Sequence, residues 1–442
     1  MSFTTLPASI TAPQGFRAAG VVCGIKRLGT GKGSNKGPKR DLALLVSDLP
    51  AAVAGMFTTN QVAAAPVKLS IPRARQAFAR AVVMNSGNAN ACTGAAGMRD
   101  AREMTKLVAD QLDLTERSVL VCSTGRIGVP MPMPRIKRGI LAAAAHLAAS
   151  PENGHQVAEA IMTSDTRPKE IAVELVLAKQ RVRIAGVAKG AGMIQPGMSL
   201  SGVRPAARPL HATMLAVLTS DAAVESRALK SSLAEAVANS FNRITVDGDM
   251  STNDTVILLA NGMARNPVLT LNPSSRPLLR KFQEALNHVA LELAKMIVRD
   301  GEGISRFVTV RVSGARNFTD ADAAARAVAN SALVKTSWCG GDPNWGRILD
   351  ALGYSQARVN EEKVDIAYSP PGSSQRIYAV QGGRPARTPF RRLCAAVAAP
   401  EFDLHIGLNL GKAKAVVYTC DLTEAYVDFN KGDIGNPSAL GG

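Results

Sequence analysis

Short runs rich in β-branched residues alternate along the chain with longer stretches of helical period, and this alternation limits the possible folds most. The apolar pattern predicts strands at 119–122, 171–177, 181–187, 255–260, 307–312 and 404–410. It predicts helices over 99–112, 135–149, 226–240, 278–298 and 321–334. Strands and amphipathic helices in such a mixture must bury their apolar faces on one another. The expectation is therefore an α/β fold, a layered sandwich with helices packed on sheets. At 442 residues the chain can bury a large core without disulfides or metals. Aromatic residues are only 4 %, so that core must be aliphatic. The stretch 199–210, SLSGVRPAARPL, has two prolines, a glycine and no period. It reads as an exposed loop dividing the chain almost in half.

Lys and Arg number 52 against 35 Asp and Glu, a formal net charge of +17. A nucleic-acid partner is usually met by basic residues on one face, interleaved with stacking aromatics. Here the densest basic run, 26–40, has glycines and no aromatic residue. Solvated surface, or attraction of small anionic substrates, explains the charge better. Cys23, Cys92, Cys122, Cys339, Cys394 and Cys420 form no C-x-x-C pair, as expected of free thiols in a reducing cytoplasm. The five histidines lack metal-binding spacing, so no metal is expected. Residues 1–16 show no secretory leader, and no run of 18 apolar residues predicts a membrane span.

The chemistry concentrates between Lys189 and Ser220, where KGAGMIQPGM, the loop and HATMLAVLTS follow one another. By itself Thr213 reads as an ordinary buried helix or strand residue. Six ordered segments change its meaning: MNSGNANACTG, KGAGMI, ATMLA with LTSDA, TVDGDMSTNDT, VRDGEG and GDPNWGRI. Together they resemble the ornithine acetyltransferases, also called glutamate N-acetyltransferases, the bifunctional acetyltransferases of arginine biosynthesis. The resemblance runs from Gly24 to about Asn430.

It implies a precursor that cuts itself before a threonine, here at Ala212–Thr213, to give an α fragment, 1–212, and a β fragment, 213–442. The fold it implies is that of a self-cleaved acetyltransferase with an N-terminal threonine nucleophile. A threonine hydroxyl attacks poorly unless a base takes its proton. Once Thr213 is N-terminal, its own α-amine, with a pKa near 7.7–8.0, can be that base. By resemblance the Thr124 side chain and Gly125 N–H form the oxyanion hole. Alone, the sequence there reads better as a plain strand-to-loop turn with Gly at its corner. Lys189 and Glu302 match the family's holders of a carboxylate and an ammonium. Thr163 and Asn430 match substrate contacts, with Thr166 a nearby rival to Thr163. Singly these residues read as a loop charge, a turn carboxylate and helix-end polar groups. The Gly- and Asn-rich segments fit neither a phosphate loop nor a calcium loop, and read as backbone turns near the site. Trp345 reads as a packing anchor.

The implied reaction moves acetyl from N2-acetyl-L-ornithine to L-glutamate by a ping-pong route through acetylated Thr213. No cofactor is implied, with acetyl-CoA a possible co-substrate, and neither nucleic acid nor membrane is a partner. The fragments would assemble as α2β2. Two other readings stay open: an N-terminal-nucleophile amidase or aminopeptidase, and a degenerate paralogue that binds anions. The chain departs from the family in three places. Residues 199–211 stand between Met198 and Ala212, where relatives run on directly. Gly31–Pro38 inserts a second basic, glycine-rich stretch after GIKRLG, read as a surface hairpin extension. Gly435 stands where relatives carry a terminal threonine.

Overall fold

The computed structural model describes residues 3–26, 39–203 and 214–431. Ala212, Thr213, Gly435 and the stretch 31–38 therefore lie outside the described residues. The chain divides into two compact units. One carries the chain up to Asn242 together with Asp249–Ile297, and the other carries Arg243–Gly248 and Val298–Lys431.

The strands of the first unit are β1 (Phe3–Leu6), β2 (Phe16–Val21), β3 (Leu42–Thr58), β4 (Phe78–Asn88), β5 (Val119–Arg126), β6 (Lys169–Leu177), β7 (Gln180–Lys189), β8 (Met198–Ser199), β9 (Leu215–Ser220) and β10 (Thr255–Ala260). Its helices are α1 (Ala65–Ala74), α2 (Gly94–Leu112), α3 (Met133–Ala145), α4 (Pro151–Ile161), α5 (Ser226–Asn239) and α6 (Arg276–Arg299), the last two residues of α6 grouping with the second unit. The strands hydrogen-bond in the order β1-β6-β7-β9-β10-β3-β4-β5, with β2 and β8 also on β3.

β3 is the hinge of this sheet. Its first half pairs with β2 and β4, its second with β10, and its register against β4 shifts between Val46 and Ala51. Bending there folds the sheet over on itself. Leu45, Met84 and Cys122 from one limb consequently share a core with Val187, Val217 and Ile257 from the other. The alternate residues Leu44, Val83 and Val121 pack on the opposite face, against Met104 and Val108 of α2 and Ile136 and Ile140 of α3. On the other limb, Gly186 of β7 leaves room for α6: a Cβ there would come within 2.8 Å of the Leu293 side chain. The first unit is thus layered helix, sheet, sheet, helix, with strands buried on both faces.

The second unit holds β11 (Phe307–Ala315), β12 (Asp365–Ser369), β13 (Ile377–Gln381), β14 (Arg384–Pro385), β15 (Glu401–Gly407) and β16 (Ala413–Cys420), with α7 (Phe318–Asn330), α8 (Ala332–Cys339), α9 (Trp345–Gly353), α10 (Phe390–Val397) and α11 (Glu424–Phe429). The strand order is β14-β13-β12-β15-β11-β16. Alternate residues Val308, Val310 and Val312 of β11 and Phe402, Leu404 and Ile406 of β15 pack against α7 to α10. Alanines at 321, 324, 325 and 329 let α7 lie close to the sheet. Trp338 is fully buried, edge-on to Phe402 at 6.1 Å, while Trp345 packs on this core from a half-buried position.

Five of the eleven predicted elements, 171–177, 181–187, 226–240, 255–260 and 278–298, fall within two residues of these at both ends, while 99–112, 119–122 and 307–312 stop short by three to five residues at one end. Three run too far. The helix expected over 321–334 breaks at Ser331, whose backbone is extended and whose Oγ accepts the Val334 N–H to start α8. The helix expected over 135–149 ends at Ala145, because Ala148 leaves it to pair with Ala18 beside β2. The strand expected over 404–410 ends at Gly407, since Asn409 takes a left-handed conformation and Leu410 bonds back to Gly314.

Candidate active site

β4 and β5 run parallel, and their ends lie side by side as glycines: Gly87 is the register partner of Gly125. The approach is too close for any side chain, since a Cβ on Gly125 would sit 2.4 Å from the Gly87 carbonyl carbon. Gly125 also has φ +126°, which side-chain-bearing residues avoid. Just before it, Thr124 is buried on the inner face of the folded sheet, following Leu120 and Cys122 at alternate positions.

β7 brings Lys189 to the same place. Lys189 is buried and donates from Nζ to Thr124 Oγ1 at 3.3 Å. It is also the register partner of Leu215, the first residue of β9. Two sequence candidates, Thr124 and Lys189, are therefore in contact although 65 positions separate them.

Sequence reasoning missed the residue that organises this corner. The Asp165 carboxylate accepts the Thr163 N–H at 2.9 Å, the Gly190 N–H at 2.7 Å and the Lys169 ammonium at 2.6 Å. It thereby ties Thr163, just beyond α4, to the turn that follows Lys189, where Gly190 adopts φ +142°. Burial alone would raise its pKa. The charges of Lys169 and Lys189 and the Gly190 N–H outweigh that, and hold the carboxyl well below the usual carboxylate range. In the sequence Asp165 and Lys169 look like an ordinary exposed i, i+4 pair, and only their burial reveals otherwise. Thr163 is half-buried and Thr166 exposed.

Lys26 adds a further cation. Its backbone N and Cγ lie over Gly87, and its Nζ donates to the Arg40 carbonyl at 2.7 Å. Burial pulls its ammonium down to about 8; Asp41 and Asp165 oppose that shift, while Lys39 and Lys189 add to it.

The other two candidates belong to the second unit, where they meet each other. Asn430, the C-cap of α11, donates from Nδ2 to Glu302 Oε2 at 2.9 Å and to the Tyr426 carbonyl at 2.9 Å. The amide leaves the rest of the Glu302 carboxylate able to accept from a cation. Among the described residues no cluster of three His, Cys, Asp or Glu could hold a metal, and no helix is long and apolar enough to cross a membrane. The cysteines are unpaired.

The ArgJ family profile matches residues 17–432. The arginine biosynthesis bifunctional protein ArgJ of Symbiobacterium thermophilum is 47 % identical over 425 residues, which cover 96 % of this chain and 98 % of that protein. The protein of the same name in Geobacter sulfurreducens is 47 % identical over 418 residues, covering 94 % and 98 %. The glutamate N-acetyltransferase of Methanocaldococcus jannaschii is 41 % identical over 431 residues, covering 96 % and 98 %.

Proposed function

The chain belongs to the ArgJ family, and on that premise we propose that it is a glutamate N-acetyltransferase of arginine biosynthesis that works through an acetyl ester of Thr213. Its reaction carries acetyl from N2-acetyl-L-ornithine to L-glutamate. The nucleophile is made by self-cleavage: the Thr213 hydroxyl attacks the Ala212 carbonyl, the C–N bond breaks, and water hydrolyses the resulting ester. The fragments are 1–212 and 213–442, and two of each assemble as α2β2 in the cytoplasm.

The observation that carries this reading is the contact of Lys189 with Thr124 at the head of β9, the strand that begins two residues after Thr213. In the cut protein the Thr213 α-amine takes the hydroxyl proton as Oγ attacks the acetyl carbonyl. Charge develops on the carbonyl oxygen, where the Thr124 hydroxyl and the Gly125 N–H donate to it. The same amine proton then passes to the departing ornithine nitrogen. Glutamate enters, its amine attacks the ester, and Thr213 is restored. Lys189, with Thr163 beside it on the Asp165 hub, faces the α-carboxylate of either amino acid. Glu302, steadied by Asn430, takes the ornithine side-chain ammonium. Acetyl-CoA serves as an alternative donor, entering at the same ester.

Intact-mass analysis of the purified full-length protein tests the reading. Two fragments split before Thr213 are expected, with the acetyl group on the 213–442 fragment after brief exposure to acetylornithine. An uncut chain with full transferase activity would overturn it. Hydrolysis of acetylornithine at the same rate with and without glutamate would instead identify an amidase.

A further inference from the structure

Asp254 has no part in the reaction as described, yet its side chain is completely buried. One carboxyl oxygen accepts the N–H of Met214, the residue directly after the proposed nucleophile. The next residue, Thr255, donates its own N–H to the Met214 carbonyl at 3.1 Å. Both backbone groups of Met214 are thus held by residues 254 and 255. Asp254 is itself fixed, because its carbonyl accepts the Thr58 N–H at 2.8 Å from the end of β3.

The residue before it reaches the other half of the site. Asn253 donates from Nδ2 to the carbonyl of Ser123 at 2.8 Å and to that of Ala89 at 2.7 Å. Its side-chain oxygen is occupied in turn by the Thr252 hydroxyl at 2.5 Å. Two consecutive side chains therefore grip the carbonyl before Thr124 and the amide after residue 213.

The second Asp254 oxygen, Oδ2, is buried and has no hydrogen-bond partner among the described residues. A bare carboxylate oxygen in such a place is strongly disfavoured. Burial pushes the carboxyl pKa well above its usual value, with the Met214 N–H and the charge of Lys189 opposing. Burial therefore favours the uncharged acid, which can accept at one oxygen and donate from the other.

We propose that Asn253 and Asp254 are a positioning pair that sets the spacing between the oxyanion corner at Ser123–Thr124 and the nucleophile strand at Met214, with Asp254 acting through hydrogen bonds alone and not by transferring a proton. The proposal rests on Thr213 being the nucleophile. It goes beyond that reading because it assigns work to the TVDGDMSTNDT segment, which the chemistry of acetyl transfer leaves unused.

Asparagine is the discriminating replacement, since it keeps one acceptor and one donor without an acidic proton. In the full-length protein, Asp254→Asn should be cut as the natural sequence is. Its kcat per mole of cut protein should stay within about threefold, and its pH–rate profile should be unchanged. Asp254→Ala and Asn253→Ala should each lower kcat about 100-fold, the scale of an ångström-sized misplacement, while KM for acetylornithine moves less than about threefold. Should Asp254→Ala fail to fold, the activity and pH profile of Asp254→Asn decide the matter alone. Either of two results overturns the proposal: Asp254→Asn failing in kcat with an unchanged thermal midpoint, or Asp254→Ala and Asn253→Ala turning over normally. Thr213→Ala is made in parallel. Acetyl transfer by that variant would remove the nucleophile reading, whereas the positioning pair is judged by the kcat ratio of Asp254→Asn to Asp254→Ala.

Discussion

Lys189 Nζ lies 3.3 Å from Thr124 Oγ1, although five strand-to-strand steps separate β7 from β5 in the hydrogen-bonded order. On a flat sheet those steps would span roughly 24 Å, far beyond the reach of a lysine. The contact exists because β3 folds the sheet over, so that alternate residues of both limbs face one interior. The polar ends of the two limbs therefore converge where the aliphatic core stops.

That convergence makes the Thr124 hydroxyl testable in isolation. Thr124→Val keeps the shape and removes the donor. The expected loss is about 100- to 1000-fold in kcat, the usual effect of deleting one oxyanion donor, with KM for acetylornithine nearly unchanged. Thr124→Ser should retain far more activity. Steady-state kinetics on cut protein checks both, and equal loss in the two variants would remove Thr124 from the oxyanion role.

Gly125 should be irreplaceable for a reason that Gly128 does not share. Both have positive φ, but a Cβ on Gly125 would strike the Gly87 backbone, whereas one on Gly128 meets nothing within 4 Å. Gly128→Ala should cost about 1–3 kcal/mol through backbone strain alone. Gly125→Ala should cost more and abolish transfer, because β4 and β5 must separate. Thermal unfolding of the two variants side by side measures the difference.

The Asp165 hub predicts a defined pH signature. Its pKa is lowered in the folded chain, so its contribution to stability is full above the unfolded-state value, about 3.9, and fades as pH falls through the lower folded value. Asp165→Asn leaves Lys169 buried without its carboxylate, a loss of about 3–5 kcal/mol at neutral pH. The gap in unfolding free energy between the two proteins should be constant above about pH 5 and should narrow below about pH 4. A gap independent of pH would mean that the carboxylate is not held by these charges.

The sequence made the short strands legible, as at 255–260, which matches β10 residue for residue. It concealed the longest strand. Leu42–Thr58 is apolar on both faces because both are buried, so it shows no alternation, and the exposed Asp48-Leu49-Pro50 at its centre looks like the end of an element. The motifs pointed to Thr124, Lys189 and Glu302 through family resemblance, one residue at a time. Asn253 and Asp254 lay in a family-like segment that read only as a backbone turn, and Asp165 in none, since an Asp four residues before a Lys, or an Asn in a turn, gains its role only from burial and from partners far away in the chain.

Glu302 and Asn430 meet across 128 positions, and their hydrogen bond gives the last prediction. If Glu302 takes the ornithine ammonium, Glu302→Gln loses a charge-assisted hydrogen bond worth about 1.5–3 kcal/mol. KM for acetylornithine should then rise about 10- to 150-fold, with a much smaller change in kcat. Asn430→Ala removes only the amide that orients the carboxylate, so its effect should have the same sign and be smaller. The double variant should be no worse than Glu302→Gln alone, because the two residues act through one carboxylate. Additive losses would show that Asn430 binds substrate independently of Glu302.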